Sequence, residues 1–232
     1  MTLTTVRSKR YQVRVKAVNL EKRYGLEEAV RAMKQIEPKK FDETVSLNFQ
    51  LSIPNPEQLL RGTTSLPHGS GKKLRVICFV KGEGVRDAQE AGADEVGAED
   101  LVQKVQGGWM DFDAVVAHPD MMREVSKLGK VLGPKGLMPS PKTGSVTPQV
   151  GRAVKELKAG RIEFKSDKTG GLHAICGKLS FSENHLIENA KNVLRAVSDA
   201  KPAGAKADYI KSIVIAPTQG PGFRLSVSGL GI

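Results

Sequence analysis

The residues of this chain with the clearest capacity for chemistry form the run Gly129-Lys130-Val131-Leu132-Gly133-Pro134-Lys135-Gly136-Leu137-Met138-Pro139-Ser140-Pro141-Lys142-Thr143-Gly144. Gly or Pro alternates there with Lys and single apolar residues, and no helix or strand period runs through it. Pro fixes φ and removes donors, whereas Gly lets another group approach the backbone closely. Two readings fit equally: an ordered loop turning its amides and lysines toward an anion, or a solvated connector with scattered charge. Gly133-Pro134-Lys135-Gly136 has the Gly-x-x-Gly form with which one class of RNA-binding domain clamps a nucleic-acid backbone. The Pro inside it and the lack of flanking helices argue against that domain, while backbone clamping by analogous chemistry stays open.

Other motifs are incomplete. Gly69-Ser70-Gly71-Lys72-Lys73 has the look of a phosphate loop, but Leu66 stands where its first Gly is required and Lys73 replaces the magnesium-binding Ser or Thr. Gly82-Glu83-Gly84 follows the apolar run 74–80 as in a dinucleotide fold, yet its third glycine position is Asp87, which would set a carboxylate against a pyrophosphate. Asp111 and Asp113 are two apart with no His or third acid nearby, so no metal site is expected. The four histidines are scattered, with neither a Ser/His/Asp nor a Cys/His order. Cys78 and Cys176 lie in apolar, strand-like runs and read as buried reduced thiols. No catalytic residue and no cofactor is expected, and the chain does not read as an enzyme.

The elements that must carry these residues follow from periodicity. The span 6–36 reads as helical, with Leu20, Tyr24, Leu26, Ala29, Val30, Met33 and Ile36 at three- and four-residue spacing and Glu27 and Glu28 after Gly25 at a helix start. Arg7, Lys9, Arg10, Arg14 and Lys16 are read either as a solvated helix face or as phosphate contacts. The span 44–53 alternates strictly, Val45, Leu47, Phe49, Leu51 and Ile53 against Thr44, Ser46, Asn48, Gln50 and Ser52, as in a half-buried strand that Pro54 and Pro56 end. Phe41 just before it is a core staple or an exposed aromatic, and its chemistry favours the core. Residues 61–69 read as a short extended piece, and 74–80 as a strand buried on both faces.

Short helices (85–91, 101–105, 119–128 and 149–158) then alternate with short strands (94–96 and 114–117), as in a parallel α/β lobe. From Gly160 the texture changes to a strand 161–165, a turn 166–171 and its return strand 172–179. A helix follows from Ser182 to about Ala200, then strands 209–216 and 223–227 around the tight loop 217–222. Two textures imply two lobes, a doubly wound insertion enclosed by both chain ends.

Charge points the same way. The net charge is +11, and the pI near 9.7 calls for a polyanionic partner, nucleic acid before membrane. Residues 67–158 carry 14 basic and 12 acidic side chains and the rest 22 and 13, so +2 lies in the insertion and +9 in the lobe built from the termini. That lobe is expected to hold the main RNA. Aromatics are only 5%, too few for base-stacking platforms. No apolar run is long enough to span a bilayer and no signal-peptide core is present, so no membrane partner and a soluble, reducing compartment are expected.

On these blocks the chain resembles the L-one family of large ribosomal subunit proteins, of bacterial type, the RNA-binding proteins of the mobile ribosomal stalk. The likeness covers essentially the whole chain. It is carried by Lys40-Phe41-Asp42-Glu43-Thr44-Val45, the block from Arg61-Gly62-Thr63 to Gly71-Lys72, Trp109-Met110-Asp111-Phe112-Asp113-Ala114, the run 129–144, Lys158-Ala159-Gly160-Arg161 to Phe164, Asp167-Lys168 to His173, and Thr218 to Pro221. The resemblance implies an α/β protein of two domains: a discontinuous α+β RNA-binding domain, 1–66 plus 159–232, and an inserted Rossmann-like α/β domain, 67–158.

It further implies binding of large-subunit ribosomal RNA, help with movement and release of exit-site transfer RNA, and repression of translation through the leader of the protein's own messenger RNA. The protein would be a monomer when free, cytoplasmic and ribosome-associated. Carried over by residue, the RNA surface would comprise Phe41, Glu43, Thr44, Lys165, Asp167, Lys168, His173, Thr218, Gln219, Gly220 and Pro221. Gly129, Lys130, Gly133, Pro134, Lys135, Gly136, Pro139 and Lys142 belong to the family's signature loop. In many relatives the position of Gln219 is Met and that of Gly222 is Ser. Gly220 is expected at positive φ, giving close backbone approach, and the Thr218 hydroxyl would meet ribose hydroxyls. The alternatives are a free RNA- or DNA-binding regulator and, behind it, an enzyme acting on a phosphorylated ligand.

Overall fold

The computed structural model describes residues 8–16, 18–19, 21–36, 40–52, 59–82, 84–202 and 209–226, without the side chains of Arg10 and Lys142. The chain divides into two compact units, Met1–Gly71 with Ile162–Ile232, and Lys72–Arg161.

In chain order the first unit contributes α1 (Lys9–Lys16), β1 (Arg23–Tyr24), α2 (Leu26–Gln35), β2 (Thr44–Leu51) and β3 (Arg61–Ser65). The second unit follows with β4 (Val76–Phe79), α3 (Gly84–Glu90), β5 (Glu95–Gly97), α4 (Glu99–Gln106), β6 (Ala114–Ala117), α5 (Met122–Ser126), α6 (Gly129–Leu132) and α7 (Val150–Lys158). The chain then continues through β7 (Arg161–Lys165), β8 (Gly171–Lys178), α8 (Glu183–Asp199), β9 (Ile210–Pro217) and β10 (Phe223–Leu225).

A five-stranded sheet in the order β1-β10-β9-β2-β8 organises the first unit. Only the β1–β10 pair is parallel. The alternation read in β2 places Val45, Leu47, Phe49 and Leu51 in the core, where Leu172, Ala174, Ile213, Ile215 and Phe223 join them from neighbouring strands. Helices α2 and α8 cover that face with Ala29, Val30, Met33, Leu186, Ala190, Val193 and Val197. Each of the larger side chains contributes about 1.5–3 kcal/mol by leaving water. Ser182 caps α8, its hydroxyl accepting from the His185 amide at 3.2 Å. The polar side of β2 stays accessible.

Three readings from sequence need correction here. The span 6–36 is not one helix: α1 and α2 are separated by β1, which β10 recruits into the sheet, and Gly25 in extended conformation starts α2. Val6 and Leu20 lie outside the described residues, as do Ile53, Pro54, Pro56 and Val227. Strands β7 and β8 do not form the expected hairpin. β7 pairs with β3 in a sheet of its own, β8 pairs with β2, and a single antiparallel bridge, Ser166 to Leu172, joins the two arms. The cause is Ser166, whose amide donates to Leu60 O and whose hydroxyl accepts from Leu60 N, both at 2.8 Å, drawing β7 toward the start of β3. Gly62 makes room there, since a Cβ on it would sit 2.5 Å from the Phe164 ring.

The run 129–144 is the third correction. It is not free of helix: α6 occupies its start and a 3-10 turn spans Pro141–Thr143.

The second unit has a three-stranded parallel sheet, β5-β4-β6, as the strand–helix alternation implies. β4 is buried throughout, with Ile77 and Phe79 in one cluster and Val76, Cys78 and Val80 in another. Cys78 and Cys176 are both free and buried, and burial pushes each thiol up to about 12, so neither is a nucleophile near neutral pH.

Candidate nucleic-acid interface

The expected RNA residues of the first unit fall into two groups at opposite ends of β2. At its start, Val45 lies opposite Pro217, which brings residues 41–44 against the β9–β10 loop. The Thr218 hydroxyl accepts from Thr44 N at 3.0 Å and donates to Thr44 O at 3.1 Å. Its proton is therefore already committed within the fold, which leaves the oxygen to accept from a ribose hydroxyl. The Gln219 amide donates to Glu43 Oε2 at 3.2 Å, and Gly220 N closes a turn onto Pro217 O at 3.2 Å. Lys178 Nζ donates to Thr44 Oγ1 at 2.9 Å, and Asp42 accepts from both Ser180 N and Ser180 Oγ.

Exposure sorts this group. Phe41 is 46% exposed, so the core preference of its chemistry is overridden, whereas Glu43 is 1% exposed. Thr218 and Gln219 are exposed and Pro221 is buried. Glu43 and Pro221 thus shape the loop rather than offer it a face. Gly220 does not adopt a positive φ, contrary to expectation. Its need for Gly is steric: a Cβ there would lie inside contact distance of Pro217 Cγ.

At the far end of β2, Leu51 N donates to Gly170 O at 2.7 Å and Gln50 Nε2 to Thr169 O at 3.0 Å. This anchors the turn that carries Asp167 and Lys168. Asp167 Oδ1 accepts from Thr169 N, Thr169 Oγ1 and Gly171 N at 2.7–2.8 Å, so the carboxylate builds the turn. The Thr169 hydroxyl and then the Gly171 amide hold this carboxyl below its usual range. Its contribution is complete above the ordinary carboxylate range and is lost as pH falls through the lowered value. Lys165, Lys168 and His173 are exposed. Eight residues of strand separate the two groups by roughly 23 Å.

The accessible sheet face joins them. Arg224, Val214, Asn48 and His173 stand directly opposite one another across β10, β9, β2 and β8. Asn48 Oδ1 is 2.7 Å from His173 Nδ1, and Ile175, 45% exposed, lies on the same side. Asn48 and Arg224 were not singled out from sequence, although the period of β2 already placed Asn48 on the polar face.

The signature residues lie in the second unit. Lys130, Gly133, Pro134, Lys135 and Gly136 are exposed and Gly129 is partly so, while Pro139 is buried. Of Lys142 only the backbone is described. Gly136 has φ +69 in the turn after α6. The loop's far end is braced by Ser140, Thr143 and Ser145, which bond one another, and by Arg161, whose Nη2 donates to Thr143 O at 2.9 Å while Nη1 holds Glu156 at 2.8 Å.

Comparison with known proteins gives the family. The model of the Ribosomal protein L1p/L10e family matches residues 33–221. The chain is similar to the large ribosomal subunit protein uL1 of Kosmotoga olearia, with 50% identity over 221 residues, covering 94% of this chain and 96% of that protein. It is 49% identical to the proteins of the same name from Protochlamydia amoebophila and Persephonella marina, over 95% of this chain and 94% of each relative. With the match spanning both units and every block from Phe41 to Pro221, this chain belongs to the Ribosomal protein L1p/L10e family.

Proposed function

We propose that this protein is the RNA-binding constituent of the large-subunit stalk, its first unit holding large-subunit ribosomal RNA. The reading is carried by the length of the likeness, about 50% identity to large-subunit proteins over nearly the whole chain. The site supports it: exposed uncharged polar groups at Thr218 and Gln219, an exposed aromatic at Phe41, and exposed lysines near the far end of β2. Stacking, ribose contacts and phosphate neutralisation are the means by which proteins hold folded RNA. The protein acts on the ribosome in the cytoplasm and is not an enzyme. The stalk it forms assists movement and release of exit-site transfer RNA. The same surface, binding the leader of its own messenger RNA, represses translation. Free of the ribosome the protein is a monomer.

The test is a titration of a stalk fragment of large-subunit RNA against duplex DNA, with co-sedimentation on large subunits after a high-salt wash. Tight binding to the RNA fragment alone and retention on washed subunits are expected. Equal binding to DNA, or loss in the wash, would make the protein a free nucleic-acid-binding regulator. Neutralising Lys165 and Lys168 together is expected to weaken RNA binding and to reduce the slope of log affinity against log salt by about one to two, as each lost phosphate contact removes nearly one unit. An unchanged slope would mean that these lysines touch no phosphate.

The two units are proposed to be separate domains, the RNA-binding one assembled from both termini. Deleting residues 72–161 and joining the ends by a short Gly-rich linker is expected to leave a folded protein that binds the RNA fragment. Loss of the native circular dichroism spectrum would rule out independent folding of that unit.

A further inference from the structure

Arg14 meets neither fate expected of the N-terminal basic run. On α1 the apolar Val13 is 63% exposed, whereas Arg14 is only 9% exposed. Its Nη1 donates to Glu43 Oε1 at 2.9 Å, and Glu43 is 1% exposed. The other carboxylate oxygen, Oε2, accepts from the Gln219 amide at 3.2 Å. One buried carboxylate therefore links a helix near the N-terminus to the loop that follows β9, some 200 residues on in the chain. A carboxylate out of water beside a neutral amide alone would carry an uncompensated charge, and the guanidinium supplies the compensation. Charge-assisted bonds are also shorter and stronger than neutral ones, which suits a carboxylate that must hold a loop amide in one place.

We propose that Arg14 is a positioning residue for RNA binding: by pairing with Glu43 it keeps that carboxylate on the Gln219 amide, and so presents the Thr218–Gly220 loop in its binding conformation. It does this without touching RNA. α1 thereby acts on the interface from behind, and RNA affinity depends on α1 being docked. This rests on the RNA-binding reading above, so the test includes a readout that needs no RNA.

In the full-length protein, Arg14→Met is expected to bind the stalk RNA fragment at least tenfold more weakly, with the salt slope of the wild type. In the RNA-free protein the Gln219 amide is expected to exchange its hydrogen at least tenfold faster. Arg14→Lys, which keeps the charge, should fall between Arg14→Met and wild type in both measurements. Adding Glu43→Gln to Arg14→Met removes the stranded charge while keeping an oxygen for the Gln219 amide, and should recover most of both losses. If Arg14→Met does not fold, Arg14→Lys and the double variant carry the comparison.

A salt slope lowered by about one, with Gln219 exchange unchanged, would make Arg14 a phosphate contact and overturn the proposal. Wild-type affinity in Arg14→Met, or no recovery in the double variant, would overturn it as well. Failure of the wild type to bind the fragment would instead refute the RNA reading, and the exchange comparison would still decide the positioning role.

Discussion

Gly220→Val is expected to bind the stalk RNA about two orders of magnitude more weakly than wild type, roughly 2–3 kcal/mol, while melting within a few degrees of it. The loop Thr218-Gln219-Gly220-Pro221 has no net charge, so counterion release cannot account for the part in binding proposed for it. Its value is shape. The loop is fixed by Thr44 on one side and Glu43 on the other, and Gly220 passes directly over the Pro217 ring. A valine Cβ would collide with Pro217 Cγ. That ring is rigid and Pro217 is buried at the end of β9, so the loop backbone must move instead. Movement of even an ångström at Gln219 and Gly220 breaks a fit made of backbone and side-chain donors. The strain falls on a surface loop and leaves the core in place, so stability suffers less than affinity. The check is a titration of the RNA fragment with both proteins at two salt concentrations, with a melting curve for each. A folded variant that binds as wild type does would reduce the loop to a turn and leave the interface to the Phe41 and Lys165 elements.

Local periodicity made much of this fold legible. The alternation of β2, the buried run of β4 and the capped helix α8 could be read because each depends on residues within a few positions of one another. What escaped reading depends on partners far away in sequence. β1 is two residues long and exists only because β10 pairs with it. The turn at 166–171 is real, but its arms pair with other strands, and Leu60, about a hundred residues earlier, takes the amide and the hydroxyl of Ser166. A turn signal specifies a reversal of direction and not which strands lie beside each arm.

The candidate interface shows the same division. Phe41 is apolar and exposed while Arg14 and Glu43 are charged and buried, the reverse of what side-chain type predicts. Arg14 and Glu43 compensate each other across 29 positions, and no feature local to either announces the pair. At Gly220 the positive φ expected from sequence is absent, and what a side chain would meet is Pro217: the sequence shows that a side chain is missing, but not that Pro217 fills the space beneath. The resemblance of particular blocks singled out the two groups of expected RNA residues, whereas only the register of β2 against β8 and β9 puts them at opposite ends of β2.

Asn189→Ala is expected to do the opposite of Gly220→Val, lowering stability by about 3 kcal/mol and leaving the RNA affinity of the folded protein unchanged. Asn189 is fully buried on α8. Its Oδ1 accepts from His68 N at 3.1 Å, and its Nδ2 donates to Gly69 O at 3.1 Å and to Cys176 O at 2.8 Å. One amide thus satisfies three backbone groups, tying the segment after β3 and strand β8 to the helix between them. Alanine leaves all three without this partner, at about 1–3 kcal/mol for each group that water does not reach. The Cys176 carbonyl bond is fully buried, whereas the two bonds to His68 and Gly69 are partly buried, so water recovers some of their loss. A total near 3 kcal/mol corresponds to a fall in melting temperature of roughly 6–12 °C for a chain of this size. Asn189→Asp should be at least as damaging, because a carboxylate oxygen would then face the Gly69 and Cys176 carbonyls with no proton to give. Thermal melts of both variants, with RNA titrations well below the transition, decide the matter. A melting temperature equal to that of wild type would show that water replaces the amide at all three groups.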